Sequence, residues 1–276
     1  MKPLADWPLS ARRKIIGVLT DIDDTLTTEG AITNEALQAL HDLKSAGLSV
    51  IAITGRPVGW SEKVVFGVDD TWPVDAVVAE NGSVAIFLDK IDLLRADYIN
   101  SPLLKIYQQD RVARAKNGQR MKQVTARVLC EVRGALVSQD SDGRETDIAI
   151  DHSEFTKLSV EKMAQVVQIM QAEGMNATVS SIHINGWFGD HNKLTGARWI
   201  VRELFGRALD DEMDRWVYVG DSTNDQLMFE HFAHSVGVAN IRRFEAQLSH
   251  KPRYITQRER GAGFAEVARA LLLARL

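Results

Sequence analysis

The stretch KIIGVLTDI, residues 14 to 22, is an apolar run that ends in acid, and Asp23 and Asp24 follow Asp21 almost at once. Apolar side chains at consecutive positions read as a strand covered on both faces, the pattern of a parallel sheet between helical layers. Crowded carboxylates at the end of such a strand repel one another and raise each other's pKa, so a cation or a set of donors has to meet them. A metal ion is the simplest compensation.

The rest of the chain fits that beginning. TNEALQALHDLKSAG carries Leu37, Leu40 and Leu43 on one helical face, with Gly47 where a C-cap glycine belongs. LSVIAITGR, a helical stretch around Ser61 to Val65, and the apolar run VDAVVAENG extend the series to βαβαβ. The C-terminal part repeats the alternation: helix KLTGARWIVRELFG, strand RWVYVGDS, helix NDQLMFEHF, short strand HSVGVAN, helix IRRFEAQL, strand PRYIT and a last helix GFAEVARALLLARL. Between these parts the rhythm changes, to a helix around Gln119 to Leu136, a strand TDIAID, a helix SVEKMAQVVQIMQAEG and paired strands NATVSS and HINGWF. That block has the size of a small domain. The expected division is a core from residues 1–90, an insert over 91–186 and a return to the core over 187–276.

Composition narrows the function classes. A 276-residue chain with 45% hydrophobic and 25% charged residues suits a soluble globular protein. A formal net charge of -4, with the basic residues scattered, lacks the footprint of a dedicated nucleic-acid binder. Cys130 is the single cysteine, so no intramolecular disulfide forms; it reads as apolar filler on a helix, in a protein suited to a reducing compartment. The opening MKPLADWPLSARRKII places its basic residues and prolines wrongly for a signal peptide, and no apolar run approaches the roughly 20 residues of a spanning helix. The expectation is a cytoplasmic protein with neither a membrane nor a nucleic-acid partner. Oligomeric state leaves no trace in the sequence.

In an open parallel sheet ligands bind beyond the carboxyl ends of the strands, and the unusual residues fall there. The first strand ends in Asp21 and Asp23, the second in Thr54-Gly55-Arg56, and a C-terminal strand in Gly220-Asp221-Ser222-Thr223-Asn224-Asp225. Carboxylates from two strand ends supply the hard oxygen ligands that Mg²⁺ prefers and leave positions for water and a phosphate oxygen. Phosphoryl transfer needs a nucleophile, charge neutralisation, donors for the equatorial oxygens and an acid for the leaving group. Asp21 suits the attack on phosphorus and Asp23 the proton transfers. Thr54 offers a hydroxyl and a neighbouring N–H, and Lys193, opening a helix, offers a point charge.

DIDDTLT, ITGR, Lys193 in DHNKLTGARWI, and GDSTNDQLMF resemble, in order and spacing, the four motifs of the haloacid dehalogenase (HAD) superfamily. The long insertion, with AENGS before it, RETDIAID inside it and GVAN after it, is similar to that of subfamily IIB. This subfamily includes Cof-type sugar phosphatases, sucrose-phosphate phosphatase and mannosyl-3-phosphoglycerate phosphatase. The resemblance covers nearly the whole chain. It implies an α/β fold, a doubly wound parallel-sheet core of the HAD-like Rossmannoid type, with an α+β cap inserted after the third strand. It implies Asp21 as nucleophile, Asp23 as general acid and base, and Thr54, Gly55 and Lys193 at the phosphoryl group. Asp21, the Asp23 carbonyl and Asp221 would hold Mg²⁺, supported by Asn224 and Asp225. The implied substrate is a small phosphorylated metabolite, a sugar phosphate or a phosphorylated sugar acid.

Asp24 departs from the pattern, since the family often has glycine there, and it adds negative charge near the metal. Arg56, Arg144, Asp147, His183, Asn185 and Trp187 are candidates for substrate contact. Blander roles compete: Arg56 paired with a core carboxylate, Trp187 packed at the hinge, His183 alternating on an exposed strand. Asp190 and His191 lie near the second crossing between the domains, as hinge or specificity residues. A phosphomutase of related architecture and a non-catalytic sugar-phosphate sensor stay open beside the phosphatase.

Overall fold

The computed structural model describes residues 1–67, 71–88 and 102–276. The chain opens with β1 (Lys2–Pro3) and a one-turn helix, α1 (Leu9–Arg12), before β2 (Gly17–Thr20), buried throughout. A small hairpin of β3 (Thr27–Thr28) and β4 (Ala31–Ile32) follows. Helix α2 (Asn34–Ser45) starts where the Thr33 hydroxyl accepts the Ala36 N–H, and it buries Ala36, Ala39, Leu40 and Leu43 along one stripe. Next come β5 (Ser49–Ile53), α3 (Val58–Val64) and β6 (Ala76–Ala79), then two antiparallel strands, β7 (Val84–Leu88) and β8 (Leu103–Tyr107).

The insert has its own layers. Its elements are α4 (Arg111–Glu131), β9 (Leu136–Val137), β10 (Ile148–Asp151), α5 (Val160–Ala172), β11 (Asn176–Val179) and β12 (His183–Trp187). The strands form an antiparallel sheet in the order β11-β12-β10-β9. Met121, Val124 and Val128 of α4 and Val166, Ile169 and Met170 of α5 pack with Ile150 and Ile184 of this sheet into a separate core. Helix α4 begins earlier than the apolar periodicity predicts, because the Asp110 carboxylate caps it by accepting the Ala113 N–H at 2.8 Å. Cys130 is exposed rather than buried filler: it lies two positions past Val128, off the apolar stripe.

The return to the core brings α6 (Lys193–Phe205), β13 (Trp216–Gly220), α7 (Gln226–His231), β14 (His234–Gly237), β15 (Tyr254–Ile255) and α8 (Arg260–Leu272). Where IRRFEAQL reads as a helix, the chain makes only 3₁₀ turns over Ala239–Phe244. Among the described residues the large sheet runs β1-β15-β14-β13-β2-β5-β6-β7-β8, parallel from β1 to β6. Residues 103–107 therefore sit in the large sheet, although the change of rhythm assigns them to the insert; the expected boundary at 90/91 lies outside the described residues. Two short antiparallel strands at a sheet edge carry a weaker periodic signal than the parallel units.

Successive residues of each central strand face opposite layers. Val18, Val50, Ala52, Val217 and Val219 pack with Leu40 and Leu43 of α2 and with Phe264 and Leu271 of α8. Leu19, Ile51, Ile53, Trp216 and Tyr218 pack with Leu194, Ala197 and Ile200 of α6. This two-sided burial is why the strands read as unbroken apolar runs. Register pairs Thr20 with Val219 on one side and with Ala52 on the other, so the residues just beyond β2, β5 and β13 emerge side by side. Among the described residues, no helix is long and apolar enough to cross a membrane.

Candidate active site

Asp21 is the first residue past β2, only 4% exposed, with its N–H donated to the Val219 carbonyl at 2.9 Å. Lys193, the first residue of α6 and 3% exposed, donates from Nζ to Asp21 Oδ1 at 2.8 Å and to Asp225 Oδ1 at 2.7 Å. Two glycines let the lysine come so near. A Cβ on Gly196 would lie 2.7 Å from the Gly82 Cα, and Gly82 itself has φ +112 and abuts the Asn192 carbonyl. Asn192 then caps α6, its side chain accepting the Leu194 and Thr195 N–H groups at 3.0 and 2.9 Å.

Beyond β13 the carboxylates converge. Asp225 Oδ2 accepts the backbone N–H of Asp221 at 2.9 Å and of Ser222 at 3.1 Å, while its Oδ1 also accepts the Tyr218 hydroxyl. Asp221 Oδ2 accepts Asn240 Nδ2 at 2.9 Å, but the buried Oδ1 meets no donor among the described residues. Oxygens of Asp21, Asp221 and Asp225 lie within 4.8 Å of one another. Burial pushes the Asp21 carboxyl up to about 7 although Lys193 opposes the rise, with Asp225 and Asp23 adding to it. Burial, with the charges of Asp21 and Asp225, holds Asp221 well above the usual carboxylate range. An all-oxygen donor set with surplus negative charge and one orphaned oxygen fits a hard divalent cation such as Mg²⁺, whose charge would restore the ionised forms.

Asp23 faces the insert. Arg56 Nε lies 3.0 Å from each of its carboxylate oxygens, while Nη1 reaches Asp140 at 3.2 Å and Nη2 reaches Glu154 at 2.9 Å. Arg56 is 5% exposed, so one guanidinium deep in the contact joins a core carboxylate to two from the insert. The other Glu154 oxygen sits 2.8 Å from His183 Nε2. Arg144 donates to the Gly55 carbonyl at 2.9 Å, to Asp147 at 2.7 Å and to Asp140 at 3.2 Å. Asn185 donates to the same Gly55 carbonyl at 3.3 Å and to Asp147 at 3.1 Å. Asp21, Asp23, Arg56, His183, Asn185 and Asn224 border one narrow cleft.

Of the residues singled out by sequence, Asp21, Asp23, Gly55, Arg56, His183, Asn185 and Asn224 are gathered at one cleft, whereas Trp187, Asp190 and His191 line a second pocket beside Lys193. Thr54 is fully buried and its hydroxyl accepts the Arg56 N–H at 3.0 Å. Asn224 Oδ1 accepts the Ser222 hydroxyl at 2.8 Å. His183 is buried and faces the cleft instead of alternating on an exposed strand. Trp187 packs at the crossing between the sheets, stacked on His191 at 5.6 Å, and donates from Nε1 to its carbonyl. Asp190 is exposed. Asp24 has φ 55, a conformation in which glycine is at ease and aspartate tolerable, and its carboxylate meets Arg260 at 3.0 Å.

Sequence reasoning passed over Asp140, Glu154, Asn240 and Arg260. Asn240 closes the GVAN stretch without being singled out there, and Glu154 had a local signal too, since Asp151 in AIDHSEF closes a turn by accepting the N–H groups of Ser153, Glu154 and Phe155. It also passed over Glu80, a buried residue at φ 48 whose carboxylate accepts the N–H groups of Val58 and Glu145.

The model of the family described as haloacid dehalogenase-like hydrolase matches residues 18–267. No curated protein matches the chain. Among solved structures, the sucrose-phosphatase from Synechocystis, in complex with sucrose and phosphate, aligns with TM-score 0.64 at 14% identity, over 94% of this chain and 98% of that one. Thermoplasma acidophilum 0175 aligns with TM-score 0.64 at 15% identity, over 94% and 99%. A sugar phosphatase of HAD subclass IIB aligns with TM-score 0.60 at 16% identity, over 94% and 98%. Identities this low establish a common fold, insert included. With its family match spanning both halves of the core and the insert between them, this chain belongs to the haloacid dehalogenase-like hydrolases.

Proposed function

We propose that the protein is a Mg²⁺-dependent phosphatase that hydrolyses a small phosphomonoester, a sugar phosphate or a phosphorylated sugar acid, through an aspartyl-phosphate on Asp21. The observation that carries this reading is Asp21 itself, held between the Lys193 ammonium and a buried carboxylate cluster on one side, and Asp23 and the insert on the other. Burial raises its pKa and the Lys193 ammonium opposes the rise, a conflict that marks functional carboxylates more often than structural ones.

An Asp21 oxygen attacks phosphorus and the bond from phosphorus to the leaving oxygen breaks, with Asp23 giving that oxygen its proton. Asp23, now ionised, takes a proton from water as the water attacks phosphorus, and Asp21 departs with release of inorganic phosphate. Lys193 and the Thr54 hydroxyl steady the phosphoryl oxygens, and the Gly55 N–H is the backbone donor beside them. Asp21, the Asp23 carbonyl and Asp221 would hold Mg²⁺, with Asn224 and Asp225 fixing their orientation; when bound, the ion neutralises charge developing on the phosphoryl group. Asp225 suits that supporting task because four donors already hold its carboxylate.

In this reading the large sheet carries the chemistry and the segment after β8, to residue 186, is the cap that excludes water and reads the leaving group. The likeness to a sucrose-phosphatase and to a sugar phosphatase supports a phosphorylated sugar as the class. The test is phosphate release from sugar phosphates, sugar-acid phosphates, nucleotides and an aryl phosphate, with Mg²⁺ and with chelator, by wild type and Asp21→Asn. Turnover by wild type alone, lost with chelator and restored by Mg²⁺, is the expected result. Equal turnover by both proteins, or turnover indifferent to chelator, would overturn the reading.

A further inference from the structure

We infer that the leaving-group side of the cleft selects a neutral, hydroxyl-rich alcohol, so that monophosphates of neutral sugars or polyols are turned over and phosphorylated sugar acids and bisphosphates are refused. The inference rests on the phosphatase reading and narrows its substrate class.

The grounds are the charges of Asp23 and Arg56, which border the cleft, and of the insert groups bonded to Arg56 and beside it. Three carboxylates, those of Asp23, Asp140 and Glu154, converge on the Arg56 guanidinium, while Arg144 pairs with Asp140 and with the fully buried Asp147, whose carboxyl burial pushes up to about 7. Both cations are engaged. Arg56 spends Nε on Asp23, Nη1 on Asp140 and Nη2 on Asp23 and Glu154, and Arg144 spends its two terminal nitrogens on Gly55, Asp147 and Asp140. His183 turns its Nε2 to Glu154, so it too faces a carboxylate rather than open space.

Of the donors on these two arginines only the buried Arg144 Nε lacks a partner among the described residues, and Arg144 does not border the cleft, so a second anionic group on the substrate would approach the surplus acid at short range in a desolvated place, where like charges repel strongly. Hydroxyl groups meet the opposite reception. Carboxylates accept O–H donors, and Asp140 and Glu154 keep part of their side-chain surface open, 14% and 21%. The arrangement is acceptor-rich, which suits a polyol, and it lacks the unpaired fork of donors that a carboxylate or second phosphate requires.

The experiment compares kcat/KM of the full chain with Mg²⁺ on two sets of substrates. The neutral set is glucose 6-phosphate, mannose 6-phosphate and glycerol 3-phosphate; the anionic set is 6-phosphogluconate, 3-phosphoglycerate and fructose 1,6-bisphosphate. A neutral aryl phosphate, 4-nitrophenyl phosphate, reports on the phosphatase reading apart from leaving-group charge. The expected result is a preference of at least about 100-fold for the best neutral substrate over the best anionic one, which is on the order of 3 kcal/mol at tenfold per 1.4 kcal/mol. A best anionic substrate equal to or better than the best neutral one overturns the inference while leaving the phosphatase reading intact. Failure to hydrolyse any member of the panel, the aryl phosphate included, overturns both.

Glu154→Gln keeps the shape, removes one negative charge and loosens the hold on Arg56, so the neutral-to-anionic ratio should fall about tenfold. Asp140→Asn tests the same charge balance from the other arm. A mere loss of folding lowers both sets together, so the ratio isolates the charge effect. A ratio unmoved in both variants overturns the charge argument.

Discussion

Asp21 is where burial and charge conflict most directly, since desolvation and neighbouring carboxylates oppose its ionisation and Lys193 favours it. Asp21→Asn removes the proposed nucleophile and relieves that conflict, so kcat should fall by at least about 1,000-fold while the thermal midpoint stays level or rises. A residual rate near wild type would remove Asp21 from the chemistry. His191 permits a second prediction at this scale. Burial pushes it down to about 4, against only a small opposing effect from the Asp190 charge, and neither ring nitrogen meets a partner among the described residues. Its folded-state pKa is below the unfolded value, so the unfolded chain binds the extra proton between about pH 6.5 and 4. Stability is fully present above that window and declines through it as pH falls, by up to roughly 3 kcal/mol from this one group. Urea midpoints at pH 4.5 and 7 should therefore differ less in His191→Gln than in wild type; an equal difference would remove His191 as a cause. At this scale Asp21, Lys193 and Asp221 were legible because phosphoryl chemistry demands particular residue types at strand and helix ends. Asn240 and Arg260 were not, because each acts on Asp221 or Asp24 from far along the chain.

Helix α6 is the element on which the lysine depends. Its N-terminus is pressed against the turn after β6, where Gly196 and Gly82 nearly touch, and its far face is anchored by Leu194, Ala197 and Ile200. Gly196→Ala forces a methyl group onto the Gly82 backbone, and helix and turn have to separate. Overpacking of this kind costs about 1–3 kcal/mol, and Lys193 Nζ would be withdrawn from Asp21. The expected outcome is a lower thermal midpoint together with a fall in kcat of roughly tenfold or more, since misplacements near 1 Å carry large rate penalties. A lowered midpoint with unchanged kcat would show that Lys193 is positioned independently of that contact. The alternation from α6 through β13, α7 and β14 was plain in the sequence, because strands covered by helices on both faces have to be apolar throughout. The exposed strand β9 and the turns over Ala239–Phe244 lack that two-sided burial, so their residues carry no comparable period.

At the scale of the molecule, two sheets with separate cores meet across a polar contact rather than an apolar one. Arg56 crosses it deep in the contact, pairing with Asp23 of the core and with Asp140 and Glu154 of the insert. An interface made of charges holds only while each is matched, and removing one partner of a buried pair costs about 3–5 kcal/mol. Arg56→Ala would leave three carboxylates facing one another in a closed space. Because the two cores are distinct, the molecule has a way to relieve this that a single core lacks: the insert can swing away and admit water to the stranded acids. Hydrogen exchange should then rise selectively in β12, which borders the cleft through His183 and Asn185, and in its neighbour β10, while amides of β2, β5 and β13 keep their protection. KM for a sugar phosphate should rise more than KM for an aryl phosphate, because the former depends on the insert for contacts that the latter makes little use of. If protection instead falls equally in both sheets, the strain is borne by global unfolding and the insert does not move as a body about this contact.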